Sequence, residues 1–295
     1  MSPSNREQFR GALVALVSPM KADGSLDREA FEHLVDWHLE AGTDGLVIAG
    51  TTGESPTLEQ PEFEWMVETA LSRAERRIPV LVGTGTAATS KAVGQSRRAA
   101  ELGADGVLVV TPYYNRPPQR GLEAHYRTIA DAVTVPVVLY NVPGRTGVDL
   151  APETALKLNE HTNIVAVKEA VADMDRVRQL VGGGMTVLSG DDSSAVDAML
   201  NGASGVISVA ANVLPARFAR LCELALAGNR KQAVALDEQF KPLYEFLGVE
   251  SNPIPAKWLL ARMGKIKTGV RLPLVELGDA WHATGDGLIR QLDLK

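Results

Sequence analysis

Eight short apolar runs, rich in β-branched residues, recur along the sequence at residues 13–17, 46–49, 79–82, 107–110, 135–139, 164–167, 186–188 and 206–209. Continuous apolar runs of this length are the pattern of strands buried on both faces, as in parallel sheets. The stretches between them carry helical patterns, and the spacing of roughly 20 to 35 residues is that of a βα unit. Eight such units are the count for a closed (β/α)8 TIM barrel, an α/β fold of about 200 to 250 residues. An open doubly wound sheet, the alternative, rarely repeats so evenly.

Helix boundaries agree with this division. Asp27 can cap a helix that places Phe31, Leu34, Val35 and Leu39 on one face, with Gly42 just past its end. Thr57 with Gln60 forms a capping-box pattern for the second helix, and Pro152 suits the first turn of the fifth. After Gly228 the strand pattern stops. Helical patterns cover residues 230–247, 254–263 and about 279–292, the first opened by Asn229 with Gln232. The expected organisation is a catalytic barrel, residues 1–228, and a C-terminal helical region, residues 229–295, with no linker rich in Gly, Ser or Pro between them.

Composition narrows the function. With 45% hydrophobic and 22% charged residues, the 295-residue chain can bury a large core. A net charge of −6 and the lack of any basic run argue against nucleic acid or anionic lipid as partners. The single cysteine, Cys222, excludes an internal disulfide, fits a reducing compartment and is expected in the core. Residues 1–10 are polar, and the apolar run from 11 to 17 is too short to span a membrane. Pro19, Lys21 and Asp23 follow it without a cleavage pattern, so the expected location is the cytoplasm. The histidines, His33, His38, His125, His161 and His282, show no metal-ligand spacing, and no metal is expected. Gly83-Thr84-Gly85-Thr86-Ala87-Ala88 formally fits a dinucleotide fingerprint, but the next run ends at Thr111-Pro112 without the acidic ribose ligand.

Barrel enzymes carry their chemistry at the C-terminal ends of the strands. The sixth run ends at Lys168, followed by Glu169 and Ala170. Apolar surroundings favour the neutral amine of a lysine, and a neutral amine adds to a ketone or aldehyde to form a Schiff base. The bland alternative is a lysine that snorkels to the surface and pairs with Glu169. The neighbouring strand ends favour chemistry. After the second run, Gly50-Thr51-Thr52-Gly53-Glu54-Ser55 offers backbone amides and paired hydroxyls to a carboxylate. The fourth run leads into Thr111-Pro112-Tyr113-Tyr114-Asn115, and the fifth into Tyr140-Asn141-Val142-Pro143-Gly144-Arg145-Thr146-Gly147. Tyrosine hydroxyls relay protons, and an arginine fork matches a carboxylate. Ser189-Gly190-Asp191-Asp192-Ser193-Ser194 is expected to cap the seventh helix and line the barrel mouth.

Through these stretches, together with residues 205–209 and Glu250-Ser251-Asn252-Pro253-Ile254-Pro255, the chain resembles the 4-hydroxy-tetrahydrodipicolinate synthase (dihydrodipicolinate synthase) family over essentially its whole length. The wider group is the pyruvate-dependent class I aldolases, which includes N-acetylneuraminate lyase. The resemblance implies a lyase without a cofactor, in which Lys168 forms an imine with pyruvate. Thr52 and the backbone near Ile207 then hold the pyruvate carboxylate, and Gly190 belongs to the substrate site. Tyr140 shuttles protons, and Thr51 links it to Tyr114, which reaches the site of a neighbouring subunit. The enamine attacks the aldehyde of L-aspartate 4-semialdehyde, whose carboxylate Arg145 binds, on the diaminopimelate route to lysine. The implied assembly is a homotetramer, a dimer of tight dimers.

Where lysine-inhibited members of that family carry polar, histidine and acidic residues, this chain has Gln60, Phe63, Ala87 and Lys91. Phe63 offers no hydrogen bond and Lys91 repels an ammonium, so feedback inhibition by L-lysine is expected to be weak or absent. Two other readings stay open. One is a related aldolase acting on a 2-keto-3-deoxy acid, N-acetylneuraminate or 4-hydroxy-2-oxoglutarate, against which Arg145 and the Thr51-Thr52 pair count. The other is a barrel without activity that serves in binding, since fold alone does not establish function.

Overall fold

The computed structural model describes residues 8–294, so most of the polar start lies outside the described residues. Eight parallel strands close into a barrel in chain order. They are β1 (Gly11–Ala15), β2 (Gly45–Ile48), β3 (Val80–Gly83), β4 (Gly106–Val110), β5 (Val137–Asn141), β6 (Ile164–Glu169), β7 (Thr186–Ser189) and β8 (Gly205–Ser208). β1 pairs with both β2 and β8, which leaves no exposed sheet edge. β5 begins two residues later than the apolar run suggests, because Pro136 has no N–H for the ladder. At their far ends β5 and β6 continue through Asn141 and Glu169, past the end of the apolar runs.

The barrel floor is built locally. Asp44 and Asp105 each precede a strand-opening glycine, and their carboxylates accept from the backbone N–H groups of Ala12 and Val80, both at 2.8 Å. Phe9, inside a stretch read as polar, is fully buried beneath the lumen. A Cβ on Gly106 would stand 2.7 Å from its ring, so β4 opens on the one residue that leaves room. Burying a ring of this size contributes about 1.5–3 kcal/mol.

Among the described residues nine helices surround the barrel: α1 (Arg28–Glu40), α2 (Gln60–Ala74), α3 (Thr89–Leu102), α4 (Gln119–Ala132), α5 (Pro143–Thr146), α6 (Pro152–Leu158), α7 (Met174–Gly182), α8 (Ala195–Leu200) and α9 (Pro215–Leu226). Asp27 caps α1 by accepting from Ala30 N–H at 3.4 Å. The capping box of α2 is formed by Glu59 and Glu62, not by Thr57 and Gln60. The Thr57 hydroxyl is already committed, donating to the Glu54 carbonyl at 3.0 Å within the short turn Ser55–Thr57. The C-terminal helices are α10 (Arg230–Leu247), α11 (Ile254–Arg262) and α12 (His282–Leu292). Asn229 stands at the start of α10, without a side-chain hydrogen bond to it. α10 packs on α8 and α9, and α11 on the turn Ala210–Asn212 that follows β8. Phe240, Leu243, Leu259 and Leu260 join the same apolar cluster as the outward faces of the strands, and Cys222 is buried there too.

One irregularity sets the orientation of β6. Val137 of β5 lies beside Ile164, but Val138 lies beside Ala166, so Val165 is an extra residue in the β6 strand. Val165 and Ala166 both belong to the cluster inside the barrel, and alternation resumes with Val167 outward. Strict alternation from the outward Ile164 would have aimed Lys168 outward as well. With the bulge, Lys168 turns into the barrel beside Tyr140.

Candidate active site

Lys168 and Tyr140 are register partners on adjacent strands, and the Lys168 Nζ sits 4.3 Å from the centre of the Tyr140 ring. Lys168 is only 5% exposed and makes no hydrogen bond or ion pair among the described residues. Its neighbour Glu169 is not its partner. The Glu169 carboxylate lies on the other face of the strand, where it accepts from Asn141 Nδ2 at 2.9 Å, Val171 N–H at 3.0 Å and Arg176 Nε at 2.7 Å. Burial pushes this carboxyl up, and Arg176 and Asn141 oppose the shift. Arg176 also reaches Asp149 at 3.0 Å. The barrel mouth thus keeps the Lys168 side chain without a counter-ion among the described residues.

Gly190, just past β7, is where the lysine stem needs space. A Cβ there would stand 3.0 Å from Lys168 Cε and 2.8 Å from the Ala170 Cβ. In the same loop Asp191 accepts from Ser194 N–H at 2.9 Å and orders the turn before α8, but the helix itself has no side-chain cap, contrary to expectation. Asp192 does something else: it accepts from Val209 and Ala210 N–H at 3.1 and 2.8 Å and ties β7 to the end of β8. Ile207 belongs to the interior cluster with Tyr140.

The loop after β2 carries Thr51 and Thr52 between two residues with left-handed backbone, Ala49 at φ 53° and Glu54 at φ 54°. Thr52 is buried, and its Oγ1 accepts from Asn252 Nδ2 at 2.9 Å. The Glu54 carboxylate forms an ion pair with Lys257 of α11, each side chain 1% exposed. Burial pushes the Lys257 amine down while Glu54 pulls it back up. Glu54 also accepts from Arg271 N–H at 3.2 Å, and the Arg271 guanidinium bonds the Thr57 carbonyl at 2.8 Å and pairs with Glu62. Lys257 and Arg271 escaped the sequence reading. The available signal was a single lysine inside the otherwise apolar stretch 254–260.

A cavity of about 730 Å³ opens over this region, lined among others by Thr51, Arg145, Thr146, Tyr113, Phe63 and Lys91. Arg145 lies on α5, and its guanidinium makes no hydrogen bond or ion pair among the described residues. Thr111 donates to Thr146 Oγ1 at 3.1 Å and steadies the short helix. Tyr114 is set apart from the other expected site residues. It is 94% exposed, with a left-handed backbone at φ 71°.

The Dihydrodipicolinate synthetase family model matches residues 8–291. The 4-hydroxy-tetrahydrodipicolinate synthase of Coxiella burnetii (strain Dugway 5J108-111) is 47% identical over 287 residues, 97% of this chain and 99% of its own length. The crystal structure of the chloride-inhibited dihydrodipicolinate synthase from Acinetobacter baumannii, complexed with pyruvate, superposes with a TM-score of 0.95 at 44% identity, covering 97% of this chain and 99% of that one. A monomeric dihydrodipicolinate synthase variant gives a TM-score of 0.96 at 40% identity over 99% of both chains. The likeness runs the full length of the barrel and its helical tail and includes the strand end that presents Lys168, so the chain belongs to the dihydrodipicolinate synthetase family.

Proposed function

We propose that this chain condenses pyruvate with L-aspartate 4-semialdehyde through an imine on Lys168 and yields 4-hydroxy-tetrahydrodipicolinate. The observation that carries the reading is the buried Lys168 amine, with no counter-ion among the described residues, against the Tyr140 ring, and the likewise unpaired Arg145 guanidinium in a cavity that Thr51 also lines. The Lys168 amine adds to the ketone carbon of pyruvate, and water leaves from the carbinolamine to give the imine. Tyr140 supplies and takes back the protons of these steps, since it is the hydroxyl-bearing side chain packed directly on Lys168. Thr52 and the backbone around Ile207 hold the pyruvate carboxylate. Loss of a methyl proton gives the enamine, with the imine nitrogen as electron sink. The enamine carbon attacks the aldehyde while Arg145 holds the semialdehyde carboxylate with a bidentate fork. The substrate amine then adds to the imine carbon, closes the ring and displaces Lys168. Gly190 leaves the lysine stem its path.

Tyr114 completes the proton relay from a neighbouring subunit through Thr51, a role supported by its exposure. That requires an oligomer, a homotetramer built as a dimer of dimers in this proposal, in a cytoplasmic enzyme of lysine biosynthesis. The division into a catalytic barrel, residues 1–228, and a supporting helical region, residues 229–295, belongs to the same reading. Among the described residues no helix is long and apolar enough to cross a membrane.

The test is intact-mass spectrometry after incubation with pyruvate and borohydride, on the wild type and Lys168→Ala, with turnover of the semialdehyde followed in a coupled reductase assay. The expected result is one reduced pyruvate adduct, lost in the variant, and turnover by the wild type alone. An adduct without semialdehyde turnover refutes the acceptor. No adduct at all refutes Lys168 as the nucleophile.

A further inference from the structure

We infer that Asn252, on the loop between α10 and α11, is a positioning residue that aims the Thr52 hydroxyl proton at the pyruvate carboxylate. The inference rests on the proposed function and adds to it a residue outside the barrel. A threonine hydroxyl has one proton and two lone pairs, and with a freely turning O–H it is as ready to accept as to donate. Asn252 Nδ2 donates to Thr52 Oγ1 at 2.9 Å and occupies the acceptor side. The Thr52 hydroxyl proton has no acceptor among the described residues, so it is free for a carboxylate oxygen.

The surroundings of Asn252 fit this role. Its own Oδ1 is buried without a hydrogen-bond partner among the described residues, so the amide is held to a single polar contact, the one to Thr52. A buried orphan acceptor is a cost that needs a reason. Thr52 itself is 2% exposed, which strengthens each hydrogen bond it makes and penalises a wrongly turned hydroxyl. Two positions on, the Glu54–Lys257 ion pair joins the same loop to α11, only five residues after Asn252 in the chain. The C-terminal region therefore holds the Thr51–Thr52 loop at two points and sets the direction of one donor.

The discriminating variant is Asn252→Asp, which keeps the shape but can only accept when ionised. It draws the Thr52 proton away from the substrate and places a negative charge nearby. Pyruvate KM is expected to rise about tenfold or more, the size of losing one charge-assisted hydrogen bond. kcat and the semialdehyde KM stay within about threefold of wild type. In a Thr52→Val background the same substitution adds little to pyruvate KM, because the two residues act as one unit. Asn252→Ala removes the donor without adding charge and is expected to raise pyruvate KM less, and it serves if the aspartate variant does not fold. An unchanged pyruvate KM in either variant, an equal rise in both substrates' KM, or additive effects in the Thr52→Val background would overturn the role of Asn252. Failure to trap pyruvate on the wild type with borohydride would instead overturn the function on which it rests.

Discussion

Replacing Lys257 with methionine isolates the contribution of the buried pair behind the Thr51–Thr52 loop. Both members are 1% exposed, so the substitution leaves the Glu54 carboxylate in an apolar setting with the Arg271 N–H at 3.2 Å as its remaining donor. Breaking a pair at this depth costs about 3–5 kcal/mol, most of it the desolvation of the abandoned charge. For a chain of this size one kcal/mol corresponds to about 2 °C in melting temperature, so Lys257→Met should melt about 6–10 °C below the wild type at pH 8. The double variant Lys257→Met, Glu54→Gln removes the orphan charge yet keeps an acceptor for Arg271, and should recover more than half of the loss. Burial without a counter-ion favours the protonated acid. The folded single variant then binds a proton that its unfolded chain releases, and its deficit should shrink as pH falls from 8 to 5. Scanning calorimetry at the two pH values measures all three effects. A single variant within 2 °C of wild type, or a double variant no more stable than the single one, would refute the reasoning.

Three further outcomes are expected. Gly190→Ala should slow borohydride-trapped imine formation about tenfold or more and also lower the melting temperature, because the new methyl meets both the Lys168 stem and the Ala170 Cβ; a trapping rate equal to wild type would contradict this. Burial pushes the Asp237 carboxyl from its ordinary 3.8 to about 6, against the opposing hydrogen bond donated by Tyr244. The contribution of this group to stability is full below pH 3.8 and is lost as pH rises through 6, so Asp237→Asn should gain on the wild type in urea titrations between pH 4 and pH 7, and a constant difference would refute the assignment. L-Lysine should inhibit weakly or not at all, since Phe63 and Lys91 line the cavity and the Gln60 amide donates to Glu64 at 2.8 Å; a submillimolar inhibition constant in steady-state assays would overturn that expectation.

The barrel was legible because buried parallel strands write continuous apolar runs, and all eight runs became strands. The strand-end positions of Lys168 and Tyr140 were legible because both follow directly on such runs, whereas Arg145 lies on the short helix after β5. Thr57 shows the limit of local pattern. Its sequence fits a capping box, but its hydroxyl is taken by a turn that forms just before the helix. Phe9 was hidden by its polar neighbours, since one aromatic residue has no period to betray it. Asn252, Lys257 and Arg271 meet their partners about two hundred residues away in the chain, and pairing over such separations leaves no mark on composition or spacing.

The extra residue in β6 makes the chemistry of the lumen a matter of whole-number counting. Drawing Val165 into the ladder, with no bulge, would seat Val167 beside Tyr140 and move Lys168 to the outer-face station where Glu169 now meets Arg176. Two cations would then meet on the outer face, while Glu169 turned inward, away from Arg176. Arg176 therefore acts as a check on strand registration: it accepts one alignment of β6 and repels the neighbouring one. Single substitutions leave this alignment in place, whereas pairing Val165 into the ladder would empty the chamber of its nucleophile.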